Sequence, residues 1–124
     1  MAPNNQHGIA LVELALSLTL LLLIVFSITE FGRVMYLKVS LSSAAREGAR
    51  KAVVTSSSFA NLSANSAALR ICPNAGVSMI PTTPTGGGAV KVTVSETFTT
   101  VLPNLIPGLN NITIKSDATM RYEN

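Results

Sequence analysis

Residues 9–28 read IALVELALSLTLLLLIVFSI. This stretch limits the possible folds more than anything else in the chain. It holds 20 residues with one charge, Glu13, and three hydroxyls, Ser17, Thr19 and Ser27. At about 1.5 Å per residue it reaches roughly 30 Å, the thickness of a bilayer core. No Pro or Gly interrupts it, and Leu dominates. A single segment in lipid must satisfy its own backbone, which only a helix does. A transmembrane helix over 9–28 is therefore expected. A cleaved secretory signal is the competing reading. Its apolar region is shorter and ends at a small-x-small site, whereas Thr29-Glu30-Phe31-Gly32-Arg33 follows here.

The rest of the composition excludes most chemistry. Charged residues are 12% of the chain, with one His, one Cys and no Trp among 124 residues. A lone His and a lone Cys cannot build a His/Cys metal cluster or an intrachain disulfide framework. Six scattered acids offer no evident acid–base pair. The nine Lys and Arg are dispersed, and few aromatics are present for base stacking, so no nucleic-acid partner is expected. Ser and Thr are abundant, but no His or Lys stands in a recognisable nucleophile motif. Gly86, Gly87 and Gly88 lack the Lys-Ser/Thr of a phosphate loop and read as a flexible connector. No catalytic residue, metal ligand or cofactor site is expected.

Glu13 needs an explanation, because a carboxylate in an apolar helix is costly unless paired or interfacial. One reading has it snorkel to the headgroups. The other looks upstream. Residues 1–8, MAPNNQHG, form a short polar leader, and Glu13 is the fifth residue after Gly8. This arrangement resembles a type IV pilin-like signal, which a membrane peptidase cuts after the Gly. Cutting between Gly8 and Ile9 removes eight of 124 residues and leaves 116. The new amine of Ile9 and the Glu13 carboxylate of a neighbouring subunit would neutralise each other, and buried ionic groups are best attested in such a register role. The leader departs from the usual pattern in having no Lys or Arg.

Helical pattern continues beyond Ile28 through Phe31, Val34, Met35, Leu41, Ala45, Ala49 and Ala52. One helix over 9–54 is expected, roughly 70 Å long. Ala44, Ala45, Gly48, Ala49 and Ala52 make a small-residue face that admits close approach. Arg46, Glu47, Arg50 and Lys51 fall on the other side. Glu30 and Arg33 are spaced for an ion pair, and Tyr36 reads as a membrane-interface anchor.

Residues 8–53 resemble the TadE-like family of pilin-like proteins. Gly8 with Glu13, Glu30-Phe31-Gly32, and Ala44-Ala45-Arg46-Glu47-Gly48-Ala49-Arg50 carry the resemblance, and the closing residues 118–123, ATMRYE, are similar to the family's last strand. The resemblance implies a minor pilin or pseudopilin of a tight-adherence (Tad) system that builds Flp-type pili. It also implies bacterial origin, cleavage by a prepilin peptidase, and partners among other pilins and the Tad inner-membrane assembly machinery. The C-terminal part would then lie outside the cytoplasm, with the helix held by membrane lipid. Arg33, Lys38, Arg46, Arg50 and Lys51 pull the other way, because the positive-inside rule would keep their side cytoplasmic. A single-pass anchor or adaptor that never enters a filament is the alternative.

Residues 55–124 are expected to form a small C-terminal domain. Ser58 is placed to cap a short helix through Ala60, Leu62, Ala67, Ala68 and Leu69, ending before Pro73. Residues 90–95 alternate as a half-buried strand, and so do 112–115, with Ala118, Met120 and Tyr122 continuing the inward set. A third strand fits 77–80. Pro103, Pro107, Gly108, Asn110 and Asn111 mark a long turn. Val90, Val92, Val94, Ile112 and Ile114 would pack on Ala45, Ala49 and Ala52, and Cys72 would be an unpaired, partly buried thiol. The class is α+β: a long N-terminal helix, transmembrane in its first half, then a small antiparallel sheet, as in type IV pilins.

Overall fold

A computed structural model describes residues 6–82, 85–101 and 111–122, without the side chains of residues 6 and 7. Residues 1–5 of the leader, Thr83 and Pro84, the turn residues Pro103, Pro107, Gly108 and Asn110, and Glu123 of the closing motif lie outside the described residues. The elements are α1 (Gln6–Val54), α2 (Ala60–Leu69), β1 (Gly76–Ile80), β2 (Ala89–Phe98) and β3 (Ile112–Arg121). The layout is a long apolar N-terminal helix followed by a three-stranded antiparallel sheet, an α+β fold. The chain divides into two compact units, Met1–Arg33 and Val34–Asn124, and α1 contributes to both.

In the first unit the side chains of α1 face outward. Ile9, Leu14, Leu20 and Ile28 are all exposed, as is every large apolar residue between them. By length and composition this helix is apolar enough to cross a membrane, and no residue of its apolar window is buried. Three hydroxyls along it are satisfied locally. Thr19 Oγ1 donates to the Ala15 carbonyl at 2.8 Å, Ser27 Oγ to Leu23 at 2.8 Å and Thr29 Oγ1 to Val25 at 3.0 Å. Each reaches the carbonyl one turn back, so none of the three needs water. The helix begins at Gln6, three residues earlier than the expected start at 9. Nothing between Gln6 and Gly8 breaks it, since the leader's proline stands at Pro3.

The second unit packs the last turns of α1, helix α2 and one face of the sheet around a common core. Leu41, Ala44, Ala45, Ala49 and Ala52 of α1 are fully buried, as are Ala60, Ala64 and Ala68 of α2. Alanines let two helices and a sheet approach closely, while the sheet supplies bulk. Val90, Val92 and Val94 of β2 are fully buried, and Met79 of β1 and Tyr122 complete the cluster. Strand order is β1-β2-β3, with β2 central. The register sets Met79 beside Val92, Val92 beside Ala118, and Val94 beside Ser116. The buried and exposed residues of β2 alternate at period two, as the pleat requires. That strand runs on through Glu96 and Thr97 to Phe98, past the expected end at 95.

Three expectations are corrected. Ile112, assigned to the core, is 40% exposed. It begins β3 at the open end of the ladder opposite Phe98, whose ring takes the burial there. The polar Ser116 instead fills an inward position beside Val94. Ser58 does not cap α2. Phe59 occupies the N-cap position without any side-chain cap bond. A backbone turn does the work, with Phe59 N–H donating to the Ser56 carbonyl at 2.9 Å and Ser63 N–H to that of Phe59 at 2.9 Å. The glycine run is not a loose connector. Gly88 N–H closes a turn on the Thr85 carbonyl at 3.0 Å, Gly87 N–H donates to the Tyr122 carbonyl at 2.7 Å, and Tyr122 N–H returns to Gly88 at 2.8 Å. These bonds extend the β2–β3 pairing beyond Ala89 and Arg121. Gly87 takes a φ of +79°, which a side chain would resist.

Candidate processing and assembly site

The residues singled out for processing lie on one helix face. Gly8, Ile9, Val12, Glu13 and Leu16 together line a shallow apolar hollow. Helical spacing is the reason, since positions four and eight after Gly8 and four and seven after Ile9 fall on one side. Glu13 is exposed. Among the described residues the ion pairs are Glu30–Arg33, Glu47–Arg50 and Lys91–Asp117, and Glu13 is in none of them. Its carboxylate stands one turn from the Gly8–Ile9 bond with an open flank.

The residues singled out for helix packing lie in the second unit. Ala45, Ala49 and Ala52 are fully buried. A Cβ added at Gly48 would lie 3.1 Å from the Ala64 carbonyl oxygen, 3.2 Å from Val92 Cγ1 and 3.5 Å from Ala68 Cβ. This face of α1 therefore receives the chain's own α2 and β2. The opposite side carries Arg46, Glu47, Arg50 and Lys51. Arg50 grips Glu47 with two bonds of 3.0 Å, from Nε to Oε2 and from Nη2 to Oε1. Glu30 and Arg33 pair at 3.1 Å, and Tyr36 is exposed.

Two tertiary ties have no local signal in the sequence. Tyr122 Oη donates to the Thr55 carbonyl at 2.9 Å, fastening the end of β3 to the end of α1 across 67 positions. Thr55 Oγ1 lies 2.9 Å from the Lys51 carbonyl and 3.2 Å from Ser63 Oγ, which joins the start of α2 to the same knot. Lys38 Nζ donates to the Lys115 carbonyl on β3. Cys72 is a free, buried thiol. Burial pushes its pKa up, and the charge of Glu96 adds to the effect. Among the described residues no group of three or more His, Cys, Asp or Glu could hold a metal ion.

No curated protein and no solved structure matches the chain. Residues 8–50, roughly a third of its length, match a protein-family model. The matched segment opens on Gly8, includes Glu13 and Glu30-Phe31-Gly32, and closes on the Arg50 of the small-residue run. Over these residues the chain is similar to the TadE-like proteins, the family whose motifs its sequence carries.

Proposed function

We propose that this chain is a non-enzymatic, pilin-like subunit, a minor pilin or pseudopilin, of a Tad-type pilus or secretion system. It acts in pilus assembly and adherence and uses no cofactor. The observation that carries this reading is where the family match starts. It begins at Gly8 and runs along the apolar helix to Arg50, so the matched unit is the chain without most of its polar leader.

In this reading a prepilin peptidase hydrolyses the Gly8–Ile9 bond. Water adds across it, leaving a carboxylate on Gly8 and a protonated amine on Ile9. The apolar part of α1 anchors the product in a bacterial inner membrane, with residues 55–124 outside the cytoplasm. Assembly machinery then draws the helix out of lipid and into a bundle with the helices of other pilins. The exposed apolar surface of α1 is consistent with both environments. Glu13 of one subunit receives the Ile9 amine of the next and sets axial register.

The test is the intact mass and N-terminal sequence of the protein purified from its native membrane. A mature chain beginning at Ile9 is expected, and Gly8→Leu should leave the full-length form. A wild-type chain still starting at Met1 would remove the pilin reading. The basic residues after the apolar run favour one second reading, a single-pass anchor with a cytoplasmic C-terminal part. Three of these cations have structural employment: Arg33 and Arg50 are ion-paired and Lys38 binds a carbonyl. Protease added to intact spheroplasts should digest residues 55–124 in the first reading and spare them in the second.

A further inference from the structure

The bond assigned to the peptidase lies inside a helix. Helix α1 starts at Gln6, so Gly8 and Ile9 are its third and fourth residues. In an α-helix the Gly8 carbonyl accepts the N–H of Val12, and those of residues 6 and 7 accept the N–H groups of Ala10 and Leu11. A carbonyl so engaged is shielded by the turn above it and presents no extended strand to an enzyme. Three hydrogen bonds must therefore open before hydrolysis can occur.

The first turn is built weakly. No acidic residue stands in it to offset the helix dipole. Gly8, Ile9 and Ala10 are exposed, so among the described residues no tertiary contact braces the bond. Gly8 is the weakest helix former there, and the fold makes no demand for it. Its backbone is helical, and a Cβ added at this position would meet nothing within 4 Å. Gly48 differs, because α2 and Val92 occupy the space a side chain would need. Past the bond and the β-branched Ile9 the sequence strengthens, with Ala10, Leu11, Glu13, Leu14, Ala15 and Leu16, all good helix formers, interrupted by the β-branched Val12.

We propose that the peptidase takes the chain with its first helical turn opened, and that the helix stability of residues 8–12 sets the rate of processing. This inference rests on the processing reading above. Gly8 acts as the opening point, and the strong helix from Leu14 onward stops the unwinding short of the apolar core. When enzyme is limiting, the rate follows the fraction of chains already open. Substitutions then act through helix propensity, even at positions beyond the bond.

The experiment measures initial cleavage rates of the full-length protein in detergent by a purified prepilin peptidase, read by intact mass. Ala10→Gly should speed cleavage about fivefold. Val12 separates the proposal from side-chain recognition, because both replacements make it smaller. Val12→Ala strengthens the helix and should slow cleavage about two- to threefold, whereas Val12→Gly weakens it and should speed cleavage up to about twofold. Rates that move in opposite directions support opening as the controlling step. Rates that move together, or stay unchanged in all three variants, overturn it while leaving processing itself intact. A wild-type chain that is never cut at Gly8 removes both this inference and the processing reading.

Discussion

Replacing Gly48 with alanine sets two effects of known sign against each other. In an exposed helix interior the change gains about 1 kcal/mol, because alanine has the higher propensity. Here the new methyl would arrive 3.1 Å from the Ala64 carbonyl oxygen and 3.2 Å from Val92 Cγ1. Both distances are tighter than ordinary van der Waals contact, and neither neighbour yields easily. The oxygen belongs to the backbone of α2, which is held by four buried alanines. Val92 is fully buried in the central strand between Met79 and Ala118. Overpacking of this kind costs about 1–3 kcal/mol. The net expectation is a loss of about 1 kcal/mol, or roughly 4–8 °C in Tm for a folded unit of this size. The assay is thermal unfolding in detergent followed by near-ultraviolet circular dichroism, with Gly32→Ala as the control. An added Cβ at Gly32 meets nothing within 4 Å, so that variant should not lower the Tm. A Gly48→Ala protein as stable as wild type, or more stable, would refute the claim that close approach of α2 and β2 explains this glycine.

Tyr122→Phe keeps the ring and removes the bond to the Thr55 carbonyl, which should cost about 1–2 kcal/mol and lower the denaturant midpoint without changing the m-value. Glu13→Gln tests the register role: losing one side of a buried ion pair costs about 3–5 kcal/mol, so the variant should be processed and membrane-resident yet absent from sheared filaments, and equal recovery with wild type would leave Glu13 as an interfacial residue only. Cys72 should react slowly with iodoacetamide at pH 8 in the native protein and quickly in denaturant, because burial raises its pKa and holds it as the thiol. The same shift fixes a sign: native Cys72 keeps its proton where the unfolded chain loses it, so its contribution to stability is present below about pH 8.5 and is lost as pH rises toward the raised native value. Cys72→Ala should flatten that alkaline decline.

Local pattern determined the elements whose driving force is itself local. Twenty residues without Pro or Gly and with a single charge leave a helix as the only solution in lipid, and α1 is continuous through them. Small residues at 44, 45, 48, 49 and 52 recur at helical spacing, so their common face was readable before any partner was known. Alternation at 90–95 and 112–115 announced two strands, since a pleat exposes every second residue. Gly8 and Glu13 were legible for a different reason: five residues apart at the mouth of an apolar run, after a short polar leader, they resemble a pilin-like processing signal. The rest depended on what met what in space. Nothing near Tyr122 indicates that its hydroxyl would find the Thr55 carbonyl 67 positions away. The glycine run at 86–88 looks like slack until Tyr122 arrives beside it and accepts and donates its backbone bonds. Ile112 is exposed although alternation places it inward, because burial follows distance from the helices and the ladder's end, which strand alternation does not encode. A helix in lipid answers to its own side chains. A sheet residue answers to the neighbours that the whole chain brings to it.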